Sequence, residues 1–183
     1  MEREADASIF TIGYGNRSTS EFVRMILEYG IRYLIDVRSK PVSRLNQGFN
    51  RTQLEQLLKS HRIRYVFMGN ELGGLPECEE CYTNGRVDYS KLEAQPFYGN
   101  GINRLKTAWE KKLPVVVMCT ELRPEECHRS KLIGQTLNKM GIIVSHIDQM
   151  GKIITQDEAI NRITKGQVTL FEEVFSSRKK YLK

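Results

Sequence analysis

The sequence predicts a single Rossmann-like α/β domain built on a mostly parallel sheet of about five strands, with helices on both faces. Three observations predict it. Short strand-like runs alternate with segments of helical period. The strand-like runs are nearly continuous in apolar and β-branched residues, as strands covered on both faces are. Capping and stop signals separate one segment from the next, the arrangement expected of repeated strand–helix units.

Ser8–Ile12 is the first β-rich run, stopped by Gly13-Tyr14-Gly15. Ser18 stands three positions before Glu21, a capping box that opens a helix with Phe22, Ile26 and Tyr29 on one stripe, and Gly30 is its stop. Ile31–Val37 reads as a buried strand, followed by a polar loop, Arg38–Gln47, that contains Pro41. A helix from about Asn50 carries Leu54, Leu57 and Leu58 inward, and Ile63–Met68 is the third strand. The stretch from Asn70 to Asp88 is long and irregular, which marks a functional or mobile loop. A helix around Ile102–Lys111 leads to Leu113–Cys119, the most apolar strand. Pro124 suits the first turn of a helix running to Met140, with Gly141 as its stop. Ile142–Ile147 is the fifth strand, and the capping boxes Thr155…Glu158 and Thr169…Glu172 open C-terminal helices across about residues 155–182.

The chain has 183 residues and reads as one domain, with 40% hydrophobic and 27% charged residues, which excludes wholesale disorder. No apolar run approaches the roughly 20 residues that cross a bilayer. Met1 to Ser8 is acidic and polar, unlike a secretory signal, so a cytoplasmic protein with no membrane partner is expected. The formal charge of +6 suits an anionic small molecule or nucleic acid as partner. Part of that charge lies in Arg178, Lys179, Lys180 and Lys183, read as a solvated helix end. Nothing in the composition fixes an oligomeric state.

Right-handed crossovers put every strand-to-helix loop of such a sheet on one edge, where ligands bind outside the carboxyl ends of the strands. After the first strand come Tyr14, Asn16, Arg17 and Ser18, either an anion cradle or a tight turn with an N-cap. After the second come Asp36, Arg38, Ser43 and Arg44. Arg38 and Arg44 suit a phosphate or carboxylate, while Asp36 is expected to hold Arg38 or loop N–H groups.

After the fourth strand the segment from Cys119 to Arg129 is the densest in chemistry. Cys127, His128 and Arg129 fall near a helix N-terminus, where the dipole and adjacent cations favour a thiolate. His128 and Glu121 are proton-transfer candidates, Arg129 an anion holder, and Cys119 or Cys127 a nucleophile. Either cysteine also reads as a buried packing thiol, Cys119 the more so because it closes an apolar strand, and Cys127 is expected to be the more reactive. Cytosolic cysteines are expected as thiols, metal ligands or redox groups rather than a disulfide framework. Cys78 and Cys81 have the spacing of half a zinc site, but no second close pair accompanies them, which argues against zinc there. The cofactor is otherwise unknown.

Several motifs in order resemble the bacterial and archaeal family known as domain of unknown function 488: Thr11–Asn16 (TIGYGN), Leu34–Ser39 (LIDVRS) with Pro41, Ser43 and Arg44, Leu72–Pro76 (LGGLP) and Gly85–Tyr89 (GRVDY). Met118-Cys119-Thr120-Glu121, Cys127-His128-Arg129 and His146-Ile147 complete the set, so the resemblance runs from about residue 8 to about residue 150. It implies an α/β fold and a polar site made of these motifs, and no activity. Cys81-Tyr82 is similar to a recurrent feature of one branch, whereas Cys78 is not associated with the family. A fainter likeness links the LIDVRS strand and the later strand ending in Cys to rhodanese-like sulfurtransferases.

Together these readings point to an enzyme of undetermined reaction acting on a phosphorylated or other anionic substrate, such as a nucleotide or nucleic-acid component. The alternatives are a non-catalytic nucleotide- or nucleic-acid-binding module, stacking bases on Tyr14, Phe49 and Tyr82, and a sulfurtransferase carrying a Cys persulfide. The Asn70–Asp88 loop is expected to border the same edge.

Overall fold

The computed structural model describes residues 8–164 and 175–181. All five predicted strands are present: β1 (Ile9–Gly13), β2 (Tyr33–Asp36), β3 (Arg64–Phe67), β6 (Val115–Cys119) and β7 (Val144–Ile147). They pair in parallel in the order β3-β2-β6-β1-β7. A sixth strand, β8 (Ile153–Thr155), adds antiparallel to β7 at the edge. The sequence reading missed it, because three residues beside a helix cap carry no strand period. A separate ribbon pairs β4 (Tyr82–Thr83) with β5 (Arg86–Val87) inside the long loop.

β6 is the centre of the sheet and is buried throughout. Its side chains alternate between the two faces. Val116 and Met118 join Phe22, Ile26, Leu54 and Leu58 from α1 (Thr19–Glu28) and α2 (Arg51–Ser60). Val115, Val117 and Cys119 face the other layer, with Leu92, Tyr98, Ile102 and Leu105. Those four come from α4 (Tyr89–Glu93) and α5 (Pro96–Glu110), with α3 (Gly69–Leu72) packed against α5. The predicted helix at Ile102–Lys111 is thus the second half of a longer one, which begins at Pro96 because its fixed φ suits a first turn. Because β6 lies between β2 and β1, the loops leaving all three converge on one point of the carboxyl edge.

Two parts of the predicted organisation are corrected. The helix expected from Pro124 to Met140 is broken. Pro124–Glu126 is a single 3₁₀ turn, Cys127 is extended, and a π-helical stretch, Arg129–Gly134, runs into α6 (Gln135–Lys139). The break follows from competing contacts. The Ser130 hydroxyl donates to the Pro124 carbonyl at 2.7 Å, and the Cys127 thiol turns back onto Cys119 rather than along a helix face. The basic tail is also not a helix end: residues 175–181 form a strap along the GRVDY motif. Ser177 N donates to Val87 O at 2.9 Å and Tyr181 N to Gly85 O at 2.7 Å. The capping box at Thr155 and Glu158 opens α7 (Gln156–Thr164), with Thr155 N donating to the Glu158 carboxylate at 2.7 Å. Thr169, Glu172 and Lys183 lie outside the described residues.

A buried polar chain ties these layers together. His146 on β7 is fully buried between the Thr11 hydroxyl, 2.6 Å from Nδ1, and the Gln156 amide oxygen, 2.6 Å from Nε2. The Gln156 Nε2 donates to Ser130 O and the Gln135 side-chain oxygen, which leaves its oxygen to accept from the imidazole. His146 is therefore assigned as the Nε2–H tautomer, accepting from Thr11. Burial, reinforced by the charge of Arg129 and opposed by the Gln156 bond, lowers its pKa from 6.5 to about 4. The unfolded chain thus binds a proton that the folded chain refuses. That contribution to stability is complete above the unfolded pKa and falls as pH drops towards the folded one. It amounts to roughly 3 kcal/mol at most. Urea titrations between pH 7 and 4 should show this loss, and His146→Gln should flatten the slope while lowering stability at neutral pH.

Candidate active site

A cleft of about 190 Å³ opens where the β1, β2 and β6 loops meet. Arg38, Cys119, Glu121 and His128 line it, with Gly74 and Leu75 of the long loop on one side. The C-terminal strap supplies the opposite wall through Ser177, Arg178, Lys179 and Tyr181. The long loop therefore borders the carboxyl edge, as expected.

Arg38 is held first by Asp36. The fully buried carboxylate takes Nε at 2.9 and 3.1 Å and Nη2 at 2.6 Å, and it also accepts from the Tyr65 hydroxyl at 2.7 Å. Tyr14 lies beneath, stacked on Phe49 with ring centres 4.2 Å apart, and the guanidinium sits 5.3 Å from its ring centre. Burial opposes the charge on Arg38, but Asp36 outweighs it and keeps the guanidinium firmly protonated. Arg38 is only 4% exposed, yet its Nη1 has no hydrogen-bond partner among the described residues.

Arg129 lies behind the cleft, under the turn after β6. It is fully buried, and its Nη1 donates to Glu121 O at 2.7 Å and lies 3.2 Å from the Cys119 sulfur. Nη2 donates to Leu122 O at 3.1 Å, so this arginine fixes the turn after β6 rather than reaching into the cleft. Cys127 is behind Cys119, with the two sulfurs 2.7 Å apart and the Arg129 N–H 3.4 Å from the Cys127 sulfur. Burial, then the hydrogen bond and proximity to Cys127, push the Cys119 thiol well up, against the pull of Arg129. Burial alone would also raise the Glu121 carboxyl. The His128 ring and hydrogen bonds from Cys127, its own N–H and Cys119 outweigh burial and hold it below its ordinary range. The Nδ1 of His128 is 3.5 Å from the Cys127 sulfur, and its Nε2 is buried with no partner among the described residues.

The remaining residues singled out in the sequence take other positions. Arg17 is buried at the same edge, donating to the carbonyls of Gly13 and Asp148 and so tying β1 to the turn after β7. Asn16 and Arg44 are exposed and do not line the cleft. Cys78 and Cys81 form a disulfide beside the β4–β5 ribbon, where unlinked cysteines were expected. The only grouping among the described residues able to share a metal is Cys119, Glu121 and Cys127, whose ligand atoms lie within 4.8 Å of one another.

Sequence reasoning missed Lys40 and the strap residues, and reached Tyr89 only as the end of the GRVDY motif. The signal for the strap was the GRVDY motif, a short strand in a loop with a free edge that needs a partner.

Comparison with curated proteins and with solved structures returned no match. Comparison with protein families matched Domain of unknown function DUF488 over residues 18–135. That span holds the LIDVRS, LGGLP, GRVDY, MCTE and CHR motifs, which build the walls and floor of the cleft. TIGYGN and His146-Ile147 lie just outside it. The chain belongs to the DUF488 family.

Proposed function

We propose that this chain is an enzyme acting on a small phosphorylated or otherwise anionic substrate, such as a nucleotide or nucleic-acid component, with the anion held by Arg38. One observation carries the reading: the unpartnered Nη1 of a charged arginine that is buried at the cleft and oriented by Asp36. A buried donor without an acceptor is costly, and an incoming anion would supply the acceptor. Lys40 and Lys179 line the same cleft and add to its positive field. Its volume is below the roughly 300 Å³ of a typical small-molecule pocket, so it suits a phosphoryl or carboxylate end rather than a whole nucleotide. Glu121, held ionised, serves as proton acceptor, His128 as its partner in proton transfer, and Cys119 as the thiol nearest the substrate.

Calorimetric titration with inorganic phosphate and with nucleoside monophosphates tests the anion site. Arg38→Lys keeps the charge beside Asp36 and removes Nη1, and should weaken phosphate binding about tenfold. Equal affinity in wild type and variant would refute Arg38 as the holder. A panel of phosphorylated compounds followed by mass spectrometry tests the catalytic half, with conversion expected in wild type and abolished by Glu121→Gln. Binding without conversion of any compound would return the chain to the class of binding modules.

A further inference from the structure

We infer that Cys119 and Cys127 are a redox-active dithiol, opening onto the cleft through Cys119 and exchanging with low-molecular-weight disulfides. The two sulfurs are 2.7 Å apart, so forming a bond of about 2.05 Å needs a closure of less than about 1 Å. Cys119 ends the central strand and Cys127 sits in the extended link between two helical turns, an anchored side and an adjustable one. A cation and a carboxylate adjoin both sulfurs. Arg129 lies 3.2 Å from the Cys119 sulfur, its N–H lies 3.4 Å from the Cys127 sulfur, and the Glu121 carboxylate is within 4.8 Å of both. The inference does not depend on what Arg38 holds.

The reaction balances with a small disulfide as oxidant. Cys119 gives its proton to Glu121 and attacks a sulfur of the small disulfide, breaking that S–S bond and releasing one small thiol, which takes up the proton. Cys127 then gives its proton to Glu121 and attacks the Cys119 sulfur of the mixed disulfide, forming the Cys119–Cys127 bond and releasing the second small thiol, which takes up that proton. Two electrons and two protons pass from the protein to the small disulfide. The raised Cys119 thiol makes the exchange accelerate with pH.

A metal is the rival occupant of these side chains. Two thiolates bound to one zinc at about 2.3 Å with tetrahedral angles stand about 3.8 Å apart, so zinc would require the sulfurs to separate by about 1 Å. The observed contact favours the disulfide. The Cys78–Cys81 disulfide is distinct, belonging to the β4–β5 ribbon.

The test uses the full chain in mixtures of 2-hydroxyethyl disulfide and 2-mercaptoethanol of graded ratio, quenched in acid and alkylated under denaturing conditions. Peptide mass spectrometry should show a Cys119–Cys127 linkage that grows with the oxidised fraction and disappears on return to the reduced mixture. Cys127→Ser should accumulate a mercaptoethanol adduct on Cys119, which lines the cleft, whereas Cys119→Ser should leave the buried Cys127 unmodified. Should both thiols stay alkylatable in wild type across the whole range, the inference fails. Stoichiometric zinc in chelator-free protein, released by either serine variant, would overturn it in favour of a metal site.

Discussion

Gly13→Ala is expected to cost about 4 kcal/mol or more, a large part of the roughly 5–15 kcal/mol that holds a domain folded. Gly13 is the last residue of β1, paired with Cys119 in register, and the turn after β6 crosses directly over it. A β-carbon there would overlap the Glu121 carbonyl and the Arg129 guanidinium. Neither can yield. The carbonyl is backbone, and Arg129 is buried and committed to Glu121 O and Leu122 O. The substitution therefore also moves Glu121 and Cys119, and should disturb the cleft even in molecules that fold. Gly99→Ala is the control: it lies inside α5 with open space around the added carbon. Relieving a helical glycine there should stabilise by about 0.5–1 kcal/mol. Urea denaturation of both variants checks the contrast, and comparable stability of Gly13→Ala and wild type would mean the β6 turn is less closely seated than the structure shows.

The same contact shows where the sequence was legible and where it was not. The apolar strands and their capping boxes are local signals, and the carboxyl-edge rule converts strand order into proximity, so Arg38, Cys119, Glu121 and His128 are legible at one edge from the sequence, whereas Tyr14, Arg129, Asn16 and Arg44, expected with them, do not line the cleft. The Asp36–Arg38 pair was also readable, since a carboxylate and a guanidinium two positions apart at a strand end have few other partners. What failed depended on contacts between segments. Nothing in the spacing of Cys119 and Cys127 reveals that the intervening turn folds them sulfur to sulfur, because it doubles back only through Arg129 and Ser130. Pro124 looked like a helix start because its local preference is satisfied by one 3₁₀ turn as well as by a helix. The strap was misread because Arg178 and Lys179 carry charge that suits solvent, while its pairing to Val87 and Gly85 is made by the backbone, which side-chain identity does not report.

Arg38→Met should destabilise the chain by about 3–5 kcal/mol, and adding Asp36→Leu should restore most of that loss. Removing the guanidinium strands the Asp36 carboxylate, fully buried and left with the Tyr65 hydroxyl and the Arg38 N–H as its donors. A buried charge stripped of its counter-charge is what makes the single change expensive; the pair itself gains little over two apolar side chains of similar size. Tyr65 is only half-buried, so its hydroxyl can turn to water in the double variant. Denaturant midpoints of the wild type, both single variants and the double variant give the coupling directly. The double variant also separates folding from function. It should fold with close to wild-type stability and yet bind phosphate no better than background, because the guanidinium at the cleft is gone while the sheet edge stays intact. If the double variant recovered stability and still bound phosphate as the wild type does, the anion site would have to lie with Lys40 and Lys179 instead, and Arg38 would be a structural strut.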